Sequence, residues 1–199
     1  MRGIRPLVSA AVAAALAFSL AGCTNDPLAE QYRAGDNKGY IAADGRVREI
    51  PKADRGEPVE FAGVTDNGET FSSADVAGDV VVVNFWYAGC GPCRVEAADL
   101  ESVWQEYQGQ RVSFVGVNTS DQADTARAFA DTYGITYPSV IDVNEGDVKL
   151  AFAQDAPMQA TPTTLVLDKD GRVAARIIGQ LSDASILSTL VRDALAEGA

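Results

Sequence analysis

Not one of the 199 residues is histidine. That absence excludes a Cys–His nucleophile pair, Ser-His-Asp catalysis and zinc or copper sites that use imidazole. Positive charge is scarce as well: 16 Lys and Arg stand against 28 Asp and Glu, a formal net charge of −12. No cluster of basic residues rises above that background, which argues against nucleic acid as a partner. Long apolar runs are also few. The one near the N-terminus, Leu7 to Leu20, is shorter than the roughly 20 residues a membrane-spanning helix needs.

That apolar run nevertheless has a purpose. Met1-Arg2-Gly3-Ile4-Arg5 before it is short and basic, and Leu20-Ala21-Gly22-Cys23 closes it. A basic start, a short apolar stretch and small residues before a cut make a secretory signal. Leu-Ala-Gly-Cys resembles the bacterial lipobox, which implies cleavage before Cys23 and attachment of lipid to its sulfur. The expected organisation is a signal peptide at 1–22, a lipid-anchored tether at 23–58 and a folded domain at 59–199. Loss of Arg2 and Arg5, with no acid lost, takes the mature chain from −12 to −14. Of the three cysteines, only Cys90 and Cys93 then remain as thiols.

The tether segment is polar, with a short hairpin expected at Tyr40–Val47, where Asp44-Gly45 favours a tight turn. A second hairpin is expected where Val59–Val64 and Glu69–Phe71 flank Asp66-Asn67-Gly68. From Val80 the pattern alternates. Val80–Trp86 and Val112–Val117 are nearly continuous apolar runs, as in parallel strands covered on both faces. Leu100, Val103, Trp104 and Tyr107 recur at helical spacing, as do Ala126, Phe129, Ala130 and Tyr133. Ser120 or Asp121 is expected to cap the second of these helices. Thr163–Leu167 and Val173–Ile178 read as an antiparallel hairpin, and Ile186 to Leu195 as a last amphipathic helix. The order predicts an α/β fold with a central mixed sheet, helices on both faces and an added N-terminal hairpin. The acidic run Asp142–Asp147 lacks calcium-loop spacing and reads as a solvated turn.

Between the first long strand and the first helix stands Cys90-Gly91-Pro92-Cys93. A dithiol at this spacing can close into a small disulfide ring and reopen, and a helix N-terminus at Cys90 favours its thiolate. Such a ring removes little chain entropy, so a purely structural disulfide is disfavoured. Cys90, on the turn, is expected to have the more exposed sulfur and to attack. Cys93, one helical turn inward, is expected to resolve the mixed disulfide.

Asn84 to Cys93, with Thr161-Pro162-Thr163-Thr164 downstream, resembles the thioredoxin superfamily. Glu96 and the lipoprotein signal make it most similar to the membrane-anchored TlpA/ResA-type thiol-disulfide oxidoreductases. The resemblance implies a thioredoxin-like fold from about Val59 and a cis Thr161–Pro162 bond beside the dithiol. Thr161 and Pro162, with an edge of Trp86, would receive the substrate peptide, although core packing explains Trp86 more simply. Glu96 would handle protons for Cys93, because thioredoxin's Asp in the preceding strand is replaced here by Asn84. Two departures stand out: Gly89 replaces the usual Trp before the first cysteine, and Ala98 the usual Pro after the Glu. The implied activity is disulfide exchange with cysteine pairs of exported proteins, outside the cytoplasm, with no soluble cofactor. It further implies a reductant for apocytochrome c, supplied by a membrane thiol electron donor. The alternative is a disulfide oxidase or isomerase. A copper chaperone would call for a downstream histidine, and a peroxiredoxin for a peroxide pocket that Tyr87-Ala88-Gly89 does not offer.

Overall fold

Seven consecutive residues, Val80–Trp86, form a strand that is buried along its whole length. A computed structural model of the chain describes residues 46–156 and 160–197, all within the second of the chain's two units, Lys38–Ala199. The signal segment, Cys23 and nearly all of the Tyr40–Val47 hairpin lie outside the described residues. In chain order the strands are β1 Val47–Glu49, β2 Ala62–Val64, β3 Thr70–Ser72, β4 Val80–Trp86, β5 Val112–Asn118, β6 Ser139–Ile141, β7 Thr163–Leu167 and β8 Val173–Ile178. The helices are α1 Gly91–Tyr107, α2 Ala123–Tyr133, α3 Asp147–Ala151 and α4 Ala184–Ala196.

Six strands make one mixed sheet in the order β1-β8-β7-β4-β5-β6, and β2 and β3 form a separate hairpin. β4 pairs parallel to β5 and antiparallel to β7. Its side chains alternate between two cores, as the two-residue period of a strand requires. Val80 and Val82 join the cluster containing Leu100, Val103, Leu187 and Val191 from α1 and α4. Val81, Val83 and Phe85 join Phe61, Phe152 and Leu165 on the other face. The apolar run is therefore continuous because the strand is covered twice. The β2–β3 and β7–β8 hairpins form as expected. Gly68 and Gly171 adopt φ of 85° and 78°, values a side chain would resist.

Three short elements depart from the sequence reading. Val47–Glu49, expected in the tether, is an edge strand paired antiparallel with β8. Arg55, also in that segment, has a side chain only 4% exposed. Its guanidinium donates to Glu197 and to Asp168 at 2.8 Å, and its Nε to the Ile50 carbonyl. The folded unit thus reaches back past Val59, because a strand of three residues is too short to show periodicity. Asp142 is buried rather than solvated: its carboxylate accepts the N–H groups of Val148 and Lys149 at the start of α3. And α2 takes Gln122 at its N-cap, with no side-chain bond, in place of Ser120 or Asp121.

Candidate active site

Where β4 ends, the chain turns through Tyr87-Ala88-Gly89, closed by a bond from the Cys90 N–H to the Tyr87 carbonyl at 3.1 Å. Cys90 is the N-cap of α1 and Pro92 lies in its first turn, a position where the missing N–H of proline costs nothing. A disulfide joins Cys90 to Cys93, with the Cα atoms 5.3 Å apart. The Cys90 Sγ accepts the Cys93 N–H at 3.1 Å. A backbone donor aimed at a sulfur at a helix N-terminus favours the thiolate once the disulfide opens.

Both cysteines are 3% exposed, which corrects the expectation of an exposed Cys90 in the disulfide form. They sit in a cluster with Trp86, Ala97, Ala126 and Phe129. Trp86 is itself only 5% exposed. Its ring lies 4.3 Å from that of Phe129 and its Nε1 donates to Ser139 Oγ at 3.2 Å. It belongs to the floor beneath the dithiol, so its expected substrate-facing edge is not there. At the position before Cys90, an atom added to Gly89 would lie 3.3 Å from the Tyr87 ring. Tyr87 thus stands next to the place a larger side chain would take.

Glu96 is fully buried, one turn beyond Cys93 on α1. Its carboxylate accepts the Asn84 side-chain amide at 3.0 Å and the Leu181 N–H at 2.7 Å. Asn84 shares the β4 face of Val80 and Val82, which is why it meets α1. The same amide donates to Thr164 Oγ1 at 3.0 Å. Burial pushes the Glu96 carboxyl up to about 7, against the opposing pull of the Leu181 and Asn84 hydrogen bonds. A carboxyl poised there can take or give a proton at neutral pH. Nearby Tyr137 is buried and its hydroxyl is pushed well above its ordinary value, first by desolvation and then by Glu96.

The Thr161–Pro162 bond is cis. It leads into β7, the neighbour of β4, and the Pro162 carbonyl accepts the Gly179 N–H at 2.8 Å. Thr161 lines a small hollow with Phe85, Thr119, Lys149 and Phe152. The sequence reading missed two participants, the Leu181 N–H and Asp121. Asp121 accepts the Ala88 N–H at 2.6 Å. A signal existed for it: β4 and β5 are parallel neighbours, so the loops at their carboxyl ends share one edge of the sheet.

The geometry supports a two-step exchange. One thiolate of the Cys90–Cys93 pair attacks a partner disulfide, forming one S–S bond and releasing one partner thiolate. The other cysteine then attacks the bound sulfur of the pair, closes the ring and releases the second, so two electrons pass to the partner. Run in reverse, the same steps oxidise a dithiol.

The family model described as the AhpC/TSA family matches residues 56–176. The thioredoxin-like protein YneN of Bacillus subtilis is 33% identical over 126 residues, 62% of this chain and 70% of YneN. The thiol-disulfide oxidoreductase ResA of Bacillus subtilis is 28% identical over 120 residues, 60% of this chain and 64% of ResA, so the match spans less than two thirds of that protein. Among solved structures, a DsbF homologue from Corynebacterium diphtheriae aligns with a TM-score of 0.66 at 29% identity, covering 80% of this chain and 99% of that one. The chain belongs to the AhpC/TSA family, as a thioredoxin-like protein whose Cys90–Cys93 pair is built for dithiol/disulfide exchange.

Proposed function

We propose that this protein is a lipid-anchored thiol-disulfide oxidoreductase acting outside the cytoplasm, and that it reduces disulfides of exported proteins through Cys90 and Cys93. The observation that carries the exchange chemistry, in either direction, is the Cys90–Cys93 disulfide at the start of α1 with a buried carboxyl one turn further on. Glu96 exchanges the proton of Cys93 as the ring opens and closes. The cis Thr161–Pro162 loop receives the partner's backbone beside the sulfurs. Lipid on Cys23 holds the protein at the membrane, consistent with a signal segment that ends in Leu20-Ala21-Gly22-Cys23. Among the described residues no helix is long and apolar enough to cross a membrane. The partner class is cysteine-containing exported proteins, apocytochrome c among them, and a membrane thiol donor restores the dithiol. No soluble cofactor takes part.

A second reading, a disulfide oxidase, draws on the Cys93 N–H and the helix N-terminus at Cys90. Both stabilise the thiolate and therefore the reduced form, which makes the disulfide more oxidising. The reduction potential of the pair separates the two. A value near about −270 mV supports the reductant, and one near about −120 mV the oxidase. Cys23→Ser tests the anchor: the variant is expected to leave the membrane fraction and to lack the lipid mass, and retention of both would contradict the lipid assignment.

A further inference from the structure

We propose that Asp121 is a positioning residue for the dithiol. Its carboxylate latches the turn that carries Cys90, keeping Cys90 within closing distance of Cys93 when the disulfide is open. The proposal rests on the exchange reading above and says what prepares the pair for ring closure.

Asp121 lies in the loop after β5, next to the loop after β4 because the two strands run parallel. Its Oδ2 accepts two hydrogen bonds, from the Ala88 N–H at 2.6 Å and from the Asn118 side-chain amide at 3.0 Å. Asn118 is fully buried. Its own Oδ1 accepts the N–H groups of Ser120 and Asp121 at 3.1 and 2.7 Å. The carboxylate is therefore aimed from a rigid base at a single target in the opposite loop. Alongside, the Thr119 N–H donates to the Trp86 carbonyl at 3.1 Å. Asp121 is not occupied in capping, because the N-cap of α2 is Gln122, with no side-chain cap bond.

The target is two residues before Cys90, inside the turn closed by the Cys90 N–H and the Tyr87 carbonyl. While the disulfide is closed, a covalent bond fixes this turn from the other side. Once it opens, the hydrogen bonds of the turn and the Asp121 latch hold Cys90 in place. Restricting the dithiol to conformers near the closed geometry lowers the entropy lost on ring closure. The latch thus raises the equilibrium constant for the reaction in which the Cys90–Cys93 dithiol and oxidised glutathione give the protein disulfide and two glutathione thiols.

The experiment is redox equilibration of the whole chain with glutathione at pH 7, reading the oxidised fraction by thiol alkylation and mass. Asp121→Ala is expected to lower the ring-closing constant about tenfold, a shift of about 30 mV to less negative potential. Asp121→Ser, too short to span to Ala88 but able to bond Asn118, is expected to shift in the same way, and it serves if the alanine variant does not fold. Asp121→Asn retains an oxygen for the Ala88 N–H and is expected to stay within twofold of the unmodified chain. If the alanine and serine variants also stay within twofold, the latch is wrong. If the asparagine variant shifts as far as they do, charge rather than positioning is responsible and the proposal falls. Failure of the unmodified chain to equilibrate with glutathione at all would overturn the exchange reading, and this inference with it.

Discussion

Replacing Glu96 with Gln isolates the cost of keeping a carboxyl in the core. An unfolded Glu titrates near 4.5, whereas the buried Glu96 is held at about 7, chiefly by desolvation. A folded pKa above the unfolded one means that the native state binds the proton more tightly. The associated stability is fully present below about pH 4.5 and is lost as the pH rises through about 7. Each tenfold difference in proton affinity between the folded and unfolded chain is worth about 1.4 kcal/mol, so the loss between pH 5 and pH 8 comes to about 2–3 kcal/mol. Glu96→Gln removes this titration without emptying the site. Its side-chain oxygen can accept the Leu181 N–H, and its amide can donate to Asn84 once the Asn84 amide turns over. Thr164 can then donate to the same Asn84 oxygen. The assay is urea unfolding of both proteins at pH 5 and pH 8 with the Cys90–Cys93 disulfide intact, so that no thiol titrates. At a urea slope of about 2 kcal/mol per molar, the midpoint of the unmodified chain should fall by about 1 M more than that of the variant. Parallel falls in the two proteins would refute the burial argument.

Other consequences follow from the same contacts. Arg55→Ala leaves Asp168 buried without its cation and Glu197 without its bidentate partner. The expected cost is about 3–5 kcal/mol, seen as a fall in Tm of at least about 6 °C; a fall under about 2 °C would show that the pair is dispensable. A chain beginning at Val59 lacks both β1 and Arg55 and is expected to be less stable than one beginning at Thr24 by a comparable amount, measured by urea unfolding. Cys93→Ser should arrest exchange after the first step, so that Cys90 accumulates in a mixed disulfide with glutathione visible by mass. A variant that turns over as the unmodified chain does would remove Cys93 from the mechanism.

Much of the site was legible because its signals are local. Val80–Trp86, the Cys90-Gly91-Pro92-Cys93 turn and the helix stripe of Leu100, Val103 and Tyr107 each state their structure within a few residues. Asp66-Asn67-Gly68 and Asp168-Lys169-Asp170-Gly171 did the same for the hairpins. The features that escaped depend on chain far away. β1 is a strand only because β8 offers an edge. Arg55 reads as an ordinary polar residue until Glu197 arrives 142 positions later. The Glu96 environment combines Asn84 with a backbone N–H that lies 85 residues further on at Leu181. The burial of Cys90 escaped for the same reason, since its cluster includes Ala126 and Phe129 from α2. At Trp86 the simpler expectation of core packing is the one met, and the substrate-facing edge is not.

The central claim is that Cys90 exchanges disulfides and does so as the attacking sulfur. The most direct measurement is reduction of insulin disulfides with dithiothreitol as the electron source, followed by turbidity, using the chain from Thr24 onward. The unmodified chain is expected to accelerate the reaction over dithiothreitol alone, and Cys90→Ser is not. Equal acceleration by the two proteins would contradict it.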